Sequence, residues 1–369
     1  MAFNPNHLLR RSLVLDRKQD IAFVRLTMAE AAPEALMPVM LKLGNLQSPQ
    51  ATYLIPLVWL DDTALLDKLP QNTVLLTLPS GLELPLCTEA RSKGFRIAVE
   101  HTGSTYAVDV AADFHIVANN VAIPPAPNLI VSGVNHATGL EQALAKGHSY
   151  FEGRSYLGPL ATVAPAINPS HAAVLELIGA VRQDAEPRQL EAIFKRDVTL
   201  TFKLLRYINS PFFGLSNRVE SIRHALAILG GQQLAKWLTL LAATAGEGTS
   251  PALTQNAMMR ARMMELMGAR FEKREQDNLF ITGMFSLLDR IMQMPLEQLL
   301  TRANLPESVT HALLTNEGRY AQLLSLAKVC EGEIAPDGAT LFELDPKSIN
   351  LAQIDAIEWA LQIARHTGD

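Results

Sequence analysis

The sequence has only two cysteines, and Cys87 and Cys330 stand too far apart to form a CxxC or any comparable metal-ligand spacing. Both lie among apolar residues, which predicts buried, reduced thiols. Lysine and arginine form no run and the formal net charge is -5, so the electrostatic footprint of a nucleic-acid-binding surface is missing. No uncharged run reaches the ~18 residues of a membrane-spanning helix. The opening MAFNPNHLLRRSLVLDRKQD has no hydrophobic region long enough for a signal peptide. A cytoplasmic protein with neither nucleic-acid nor membrane partners is therefore expected. No GxGxxG, P-loop or GxSxG string occurs, which removes the usual dinucleotide, nucleotide and serine-hydrolase motifs. What remains is a globular composition: 369 residues, 48% hydrophobic and 19% charged, enough to bury the cores of two or three domains.

The two halves have different rhythms. In the first, LVLD (13–16), IAFVRLT (21–27), ATYLIPLVW (51–59), TVLLTL (73–78), FRIAVEH (95–101), FHIVAN (114–119) and NLIVSGV (128–134) read as strands, with helical patterns between several of them. That alternation argues for a parallel sheet covered by helices. A closed (β/α) barrel usually takes ~250 residues, and this half offers about 160. Between the last two strands, NVAIPPAP is too short and too proline-rich for a crossover helix, so a shortened barrel is predicted. From about Ala164 onward the apolar residues recur at helical spacing and no strand is apparent. Asp197 and Ser221 are predicted helix caps, and the helix from Asp277 is apolar nearly all round, as at the centre of a bundle. Met258, Met259, Met263, Met264 and Met267 crowd one helix, either as irregular core filling or as an adaptable groove.

The segment DVTLTFKLLRYINSPFFGLSNRVESIRHALAILGGQQLAKWL resembles the signature of the HDOD domain, an all-α module related to the HD phosphohydrolases. Asn209-Ser210, Phe213-Gly214, the Ile222–Leu226 stripe and Gly230 stand in the pattern's places. Coarser similarity continues through LFITGMFSLLD to INLAQIDAIEWALQIAR. The first half is similar to an EAL domain, the barrel that hydrolyses cyclic di-GMP, in LLRRSLVLDRKQDIAFVRLT, CTEARSKGFRIAVEHTG and EQALAKGHSYFEGRSYLGP. The resemblance implies an α/β plus all-α protein: a shortened (β/α) barrel-like EAL-type domain at 8–162, derived from a TIM barrel, followed by an all-α HDOD helical bundle at 165–369.

The same resemblance indicates where chemistry would sit. An EAL barrel hydrolyses its substrate with acidic residues that hold divalent metals. The Glu that names that family falls at Arg25, its Asp-Asp pair at Glu100 and His101, and the Lys and Asp of the next strand at Ile116 and Ala118. A later Glu falls at Ser132 and the closing Gln at Glu152. Adjacent strand residues face opposite ways, so only one of Glu100 and His101 can face a site. In the helical half, the His-Asp dyad of HD hydrolases would fall at Ser286 and Leu287.

Neither half is thus expected to be catalytic, and no metal or cofactor is implied. The expected function is that of an adaptor or scaffold in a bacterial cyclic di-GMP-linked network, with outputs of the motility, biofilm or virulence type. Its partners would be other signalling proteins, and a homodimer is compatible with this. Phe212, Phe213 and Arg218 in the loop between two helices are the candidate partner-binding residues. One alternative is a receptor that binds cyclic di-GMP or another nucleotide without hydrolysis, with Arg25 meeting a phosphate. Another is residual hydrolysis through Glu100, His101 and Asp109.

Overall fold

The computed structural model describes residues 4–47, 49–60, 63–81, 85–101, 112–121, 123–158, 169–209, 213, 215, 218–244, 250–303, 305–333 and 344–367. The chain divides into two compact units, each gathered from separate stretches. The first comprises 1–159, 250–267 and 322–369, the second 160–249 and 268–321.

Eight strands of the first unit form a closed barrel in sequential order: β1 (Leu9–Leu15), β2 (Ile21–Met28), β3 (Tyr53–Pro56), β4 (Val74–Pro79), β5 (Arg96–His101), β6 (Phe114–Ala118), β7 (Leu129–Ser132) and β8 (Tyr150–Glu152). β1 is antiparallel to both β2 and β8, and the other neighbouring pairs are parallel. This corrects the expected shortened (β/α) barrel of EAL type followed by a separate all-α bundle. The ring is complete, its sheet is mixed, and helices from the second half of the chain belong to its unit.

Two physical reasons explain the difference. The connection from β1 to β2 is a tight turn in which Asp16 Oδ1 accepts from the N–H groups of Lys18 (2.8 Å) and Asp20 (3.0 Å). So short a link permits only an antiparallel pair. β8 has three residues, too few to show an alternation in sequence.

α1 (Pro33–Gly44), α2 (Thr63–Leu66), α3 (Pro85–Ser92) and α4 (Ala137–Ala145) follow β2, β3, β4 and β7. Among the described residues no helix lies between β6 and β7. Val121, Ile123 and Ala126 of that proline-rich loop pack instead against Val117, Leu129, Val131 and Phe151, doing what a helix would do on that face.

The second half is helical among its described residues: α5 (Pro169–Arg182), α6 (Pro187–Lys195), α7 (Val198–Ile208), α8 (Ile222–Thr244), α9 (Pro251–Met267), α10 (Lys273–Phe285), α11 (Leu288–Met292), α12 (Leu296–Ala303), α13 (Glu307–Leu314), α14 (Gly318–Cys330) and α15 (Pro346–Thr367). Of these, α9, α15 and the part of α14 from Gln322 belong to the barrel's unit. The five methionines of α9 are all buried, so that helix fills core and presents no open groove. No helix among the described residues is long and apolar enough to cross a membrane.

Charge fixes these helices to β1. Val14 lies in the barrel core, so alternation turns Leu9, Arg11, Leu13 and Leu15 to the outside. Arg11 is nevertheless buried, and its guanidinium meets Gln353 Oε1, Asn256 Oδ1 and Glu331 Oε1, each at 3.0 Å. Glu331 also accepts from Arg260 Nε (2.9 Å) and Nη2 (2.5 Å), and Arg260 reaches Glu333 at 2.6 Å. Two guanidinium groups and two carboxylates balance, as burial of charge requires. Burial alone raises the pKa of Glu331, but Arg260 and Arg11 outweigh it and hold the carboxyl down at about 2. Burial pushes the neighbouring Cys330 thiol up to about 12, which leaves it an inert core group.

Near its start β1 does not pair with β8, which it meets only at Val14 and Leu15. Side chains of α15 supply the bonds: Asn350 Oδ1 accepts from Leu9 N–H and Gln353 Nε2 donates to the Leu9 carbonyl, both at 2.8 Å. Two strands along, Glu358 of the same helix accepts from Gln50 N–H (2.7 Å) and from the hydroxyl of Tyr53 on β3 (2.6 Å).

Removing Glu331 leaves two buried guanidinium groups without their shared carboxylate. Glu331→Ala should lower the stability of the first unit by about 3–5 kcal/mol, measured by denaturant unfolding. Because the folded pKa is depressed, this contribution is complete above about pH 4.5 and declines as pH falls toward about 2. The acid-unfolding curves of wild type and Glu331→Ala should converge across that window.

Candidate functional site

The barrel interior is built in layers. Val14, Phe23, Leu54, Leu75, Ala98, Ile116 and Ile130, one from each of β1 to β7, form a buried cluster with Tyr150 of β8 packed against it. Phe23, Phe114 and Tyr150 touch edge-on or tilted, with ring centroids 5.2–5.9 Å apart. Since side chains alternate along a strand, the residues two positions further along β2 to β8 also face inward. These are Arg25, Pro56, Thr77, Glu100, Ala118, Ser132 and Glu152, a mostly polar layer at the C-terminal ends of the parallel strands.

That layer contains Arg25, Glu100, Ala118, Ser132 and Glu152 of the positions inferred from the resemblance. Ile116 lies in the apolar layer beneath, with a relative exposure of 1%. His101 faces outward. It is buried on the outer surface, where its Nε2 lies 3.0 Å from Nδ1 of His115 on β6. Burial lowers the pKa of both rings, and His115 lowers that of His101 further. Both are then neutral at pH 7, with one ring nitrogen donating to the other. Asp109 lies outside the described residues.

The charges of the inner layer meet one another. Arg25 Nη2 is 2.6 Å from Glu100 Oε2 and Nη1 is 3.0 Å from Glu152 Oε2, so one guanidinium joins β2 to β5 and β8. Burial alone lowers the pKa of Arg25, but Glu152 and Glu100 overcome this and raise it. Arg25 is therefore a permanent cation between two carboxylates, where an oxygen-ligand metal site would need those carboxylates turned toward an ion. Among the described residues no group of three or more His, Cys, Asp or Glu side chains is arranged to hold a metal. Gly153, which follows Glu152, has φ 150° and leaves no room for a side chain: an added Cβ would lie 2.3 Å from the Val134 carbonyl oxygen. This close approach fixes the end of β8, and Glu152 with it.

The helical signature has a structural account of its own. Asp197 caps α7 by accepting from Leu200 N–H at 2.9 Å. Asn209 closes the loop that follows, accepting from Val219 N–H at 2.7 Å and donating to the Val219 carbonyl at 2.8 Å. Gly230 takes φ 65° and ψ 170°, a conformation for glycine alone, and breaks α8 there. At the position of the HD dyad, Ser286 donates to the Gly283 carbonyl at 2.7 Å and Leu287 is buried.

Of the candidate docking residues, Phe213 packs edge-on against Tyr207, with centroids 5.0 Å apart, and Tyr207 stacks on Trp237. Arg218 is exposed, and Phe212 lies outside the described residues. Sequence reasoning missed Phe202 on α7, which is 64% exposed. Its signal was a Phe opposite the buried Leu200 and Leu204, beside Lys203 and Arg206 on a helix without an acidic residue.

The HDOD domain family model matches residues 165–312, so that stretch is an HDOD domain. It begins beyond the last barrel strand. The chain is similar to the uncharacterized protein YuxH of Bacillus subtilis (strain 168), 24% identical over 225 residues that cover 59% of this chain and 55% of YuxH. It is also similar to the cyclic di-GMP phosphodiesterase CdgJ of Vibrio cholerae serotype O1, 29% identical over 193 residues that cover 52% of this chain and 45% of CdgJ. The chain spans about half the length of these curated relatives. A crystal structure of an HDOD domain protein from Geobacter sulfurreducens is 13% identical, with a TM-score of 0.34, over 56% of this chain and 89% of that one.

Replacing Arg25 by Met sets two carboxylates against each other without a cation. Arg25→Met should cost about 2–3 kcal/mol of stability at pH 7. Thermal unfolding of wild type and Arg25→Met side by side at pH 7 measures the loss.

Proposed function

Taking as premise an HDOD domain at residues 165–312 and a barrel whose mouth is filled by its own charges, we propose that this is a non-catalytic signalling protein. It acts as an adaptor that holds other signalling proteins within a cyclic di-GMP-linked network. The Arg25–Glu100–Glu152 ion pairs carry this reading. Metal-assisted phosphodiester hydrolysis needs carboxylates free for divalent cations that activate water and screen the phosphate. Here the two carboxylates of the layer are bound to a guanidinium, and the remaining positions are Pro56, Thr77, Ala118 and Ser132. The positions inferred from the resemblance, apart from Ile116 and His101, share that one layer. The HD dyad positions, Ser286 and Leu287, offer no metal ligand either. The link to cyclic di-GMP rests on the similarity to CdgJ.

Docking is supported by the surface of α7 and the loop after it. Phe202 and Leu215 are exposed there at 64% and 39%, accompanied by Lys203, Arg206 and Arg218. An exposed aromatic with apolar and arginine neighbours has the composition of an interface centre.

Calorimetric titration of the whole chain with cyclic di-GMP, with and without Mg²⁺ or Ca²⁺, should give no heat and no turnover. Metal-dependent turnover would make the protein an enzyme, and saturable binding without metal would make it a receptor. Phe202→Ser should leave the thermal midpoint unchanged and weaken capture of a bound signalling partner at least about tenfold. Unchanged capture would move the docking surface elsewhere.

A further inference from the structure

Away from the barrel mouth and the exposed face of α7, a small cavity opens in the first unit where the chain leaves β8. It offers about 10 Å³ to the centre of a water-sized sphere, and Arg11, Leu13, Gly153, Arg154, Tyr156 and Glu331 are among the residues that line it. Its origin is local. Gly153 N–H donates to the Leu13 carbonyl of β1 at 3.3 Å, and the chain then turns away. Arg154 N–H donates to the Asn135 side chain at 3.3 Å and Ser155 N–H to the Val134 carbonyl at 3.1 Å.

That turn strands backbone groups of β1. In an antiparallel pair, alternate residues bond the neighbouring strand and those between them point the other way. Leu9 points away from β2, bonding Asn350 and Gln353, and the Leu13 carbonyl points the same way, to Gly153. The register with β2 is unbroken from Leu9 to Leu13, so the N–H and C=O of Arg11 face that side too. β8 does not extend to them, and no described residue bonds either group. Two side-chain groups share their position. Arg11 Nε is buried without a partner, and the hydroxyl of Tyr156, a residue only 6% exposed, bonds no described residue. Burial raises the pKa of Tyr156, so its hydroxyl keeps the proton and can both donate and accept. Buried backbone groups are almost always paired, with protein or with ordered water.

The neighbouring charges call for no ion. Glu331 Oε1 receives Arg260 Nε and Arg11 Nη2, and its Oε2 receives Arg260 Nη2 and Asn256 Nδ2. Arg154 also borders the cavity, but it is partly exposed to solvent. A neutral ligand that both donates and accepts fits these walls, and the volume suits one water molecule.

We propose that this cavity is the binding site of a single structural water, which bridges the backbone of Arg11 on β1 to the hydroxyl of Tyr156 beyond β8. The barrel is thus closed by direct strand pairing at Val14 and Leu15 and through water at Arg11. This inference is independent of the proposed function.

The test is a crystal structure of the full chain at a resolution that orders waters, with a second crystal soaked in sodium bromide. One density peak is expected in the cavity, at about 2.7–3.2 Å from the Arg11 backbone and from Tyr156 Oη, with no bromide signal. In solution, oxygen-17 relaxation dispersion counts long-lived buried waters. Tyr156→Phe should lose one of them, with circular dichroism confirming that the variant is folded. A cavity without density, a bromide peak in it, or a protein group bonded directly to the Arg11 backbone overturns the proposal. So does an unchanged water count in folded Tyr156→Phe. If that variant does not fold, the wild-type crystals still decide.

Discussion

The carboxylate of Glu331 receives guanidinium groups from two distant segments of the chain, Arg11 on the first strand and Arg260 on α9. Excluding water from such a set is costly unless every donor and acceptor finds a partner. Asn256, Gln353 and Glu333 supply most of those partners, with Arg11 Nε alone of its guanidinium nitrogens left without one among the described residues, and together they fix how α9 and α15 lie on β1. A purely apolar face would tolerate sliding of one helix along the strand. This network has one geometry in which all its hydrogen bonds form. The backbone bonds of Leu9 to Asn350 and Gln353 follow from it, because they require α15 in that same register.

The barrel interior uses charge differently. Its lower layer is apolar and aromatic, its upper layer mostly polar, and Arg25 spans the opening to Glu100 and Glu152. Glu100 and Glu152 converge on a guanidinium held by the protein itself, and the side chains that join β2 to β5 and β8 thereby fill the opening with paired charge.

How much of this was legible depends on the range of the signal. Local rules read well: the Asp197 cap and the opposite facing of Glu100 and His101 each follow from a few neighbouring residues. The proline-rich link between β6 and β7 was also readable as a crossover without a helix. Closure of the barrel was not, because β8 is three residues long and its pairing with β1 is non-local. Nor was the allegiance of α9 and α15. An amphipathic helix shows the same periodicity whichever core it covers, and the HDOD match contains α9 without revealing the barrel strand it serves. Arg11, Arg260 and Glu331 each look like ordinary surface charges in sequence. Only their convergence in space makes them a core.

The discontinuity of the first unit has a consequence for how the chain is made. On a ribosome the eight strands emerge well before α9, α14 and α15, yet Arg11 and the Leu9 backbone acquire their partners only from those later helices. Until then the start of β1 carries a buried-type charge and unpaired backbone groups into solvent, as an open strand edge does. The second unit is also discontinuous, but its two stretches, 160–249 and 268–321, are separated only by α9, so its wait for partners is shorter. The nascent barrel therefore passes through a period of exposure set by translation rather than by its own folding rate. A chain cut at residue 312, the end of the family match, would remain in that exposed state permanently.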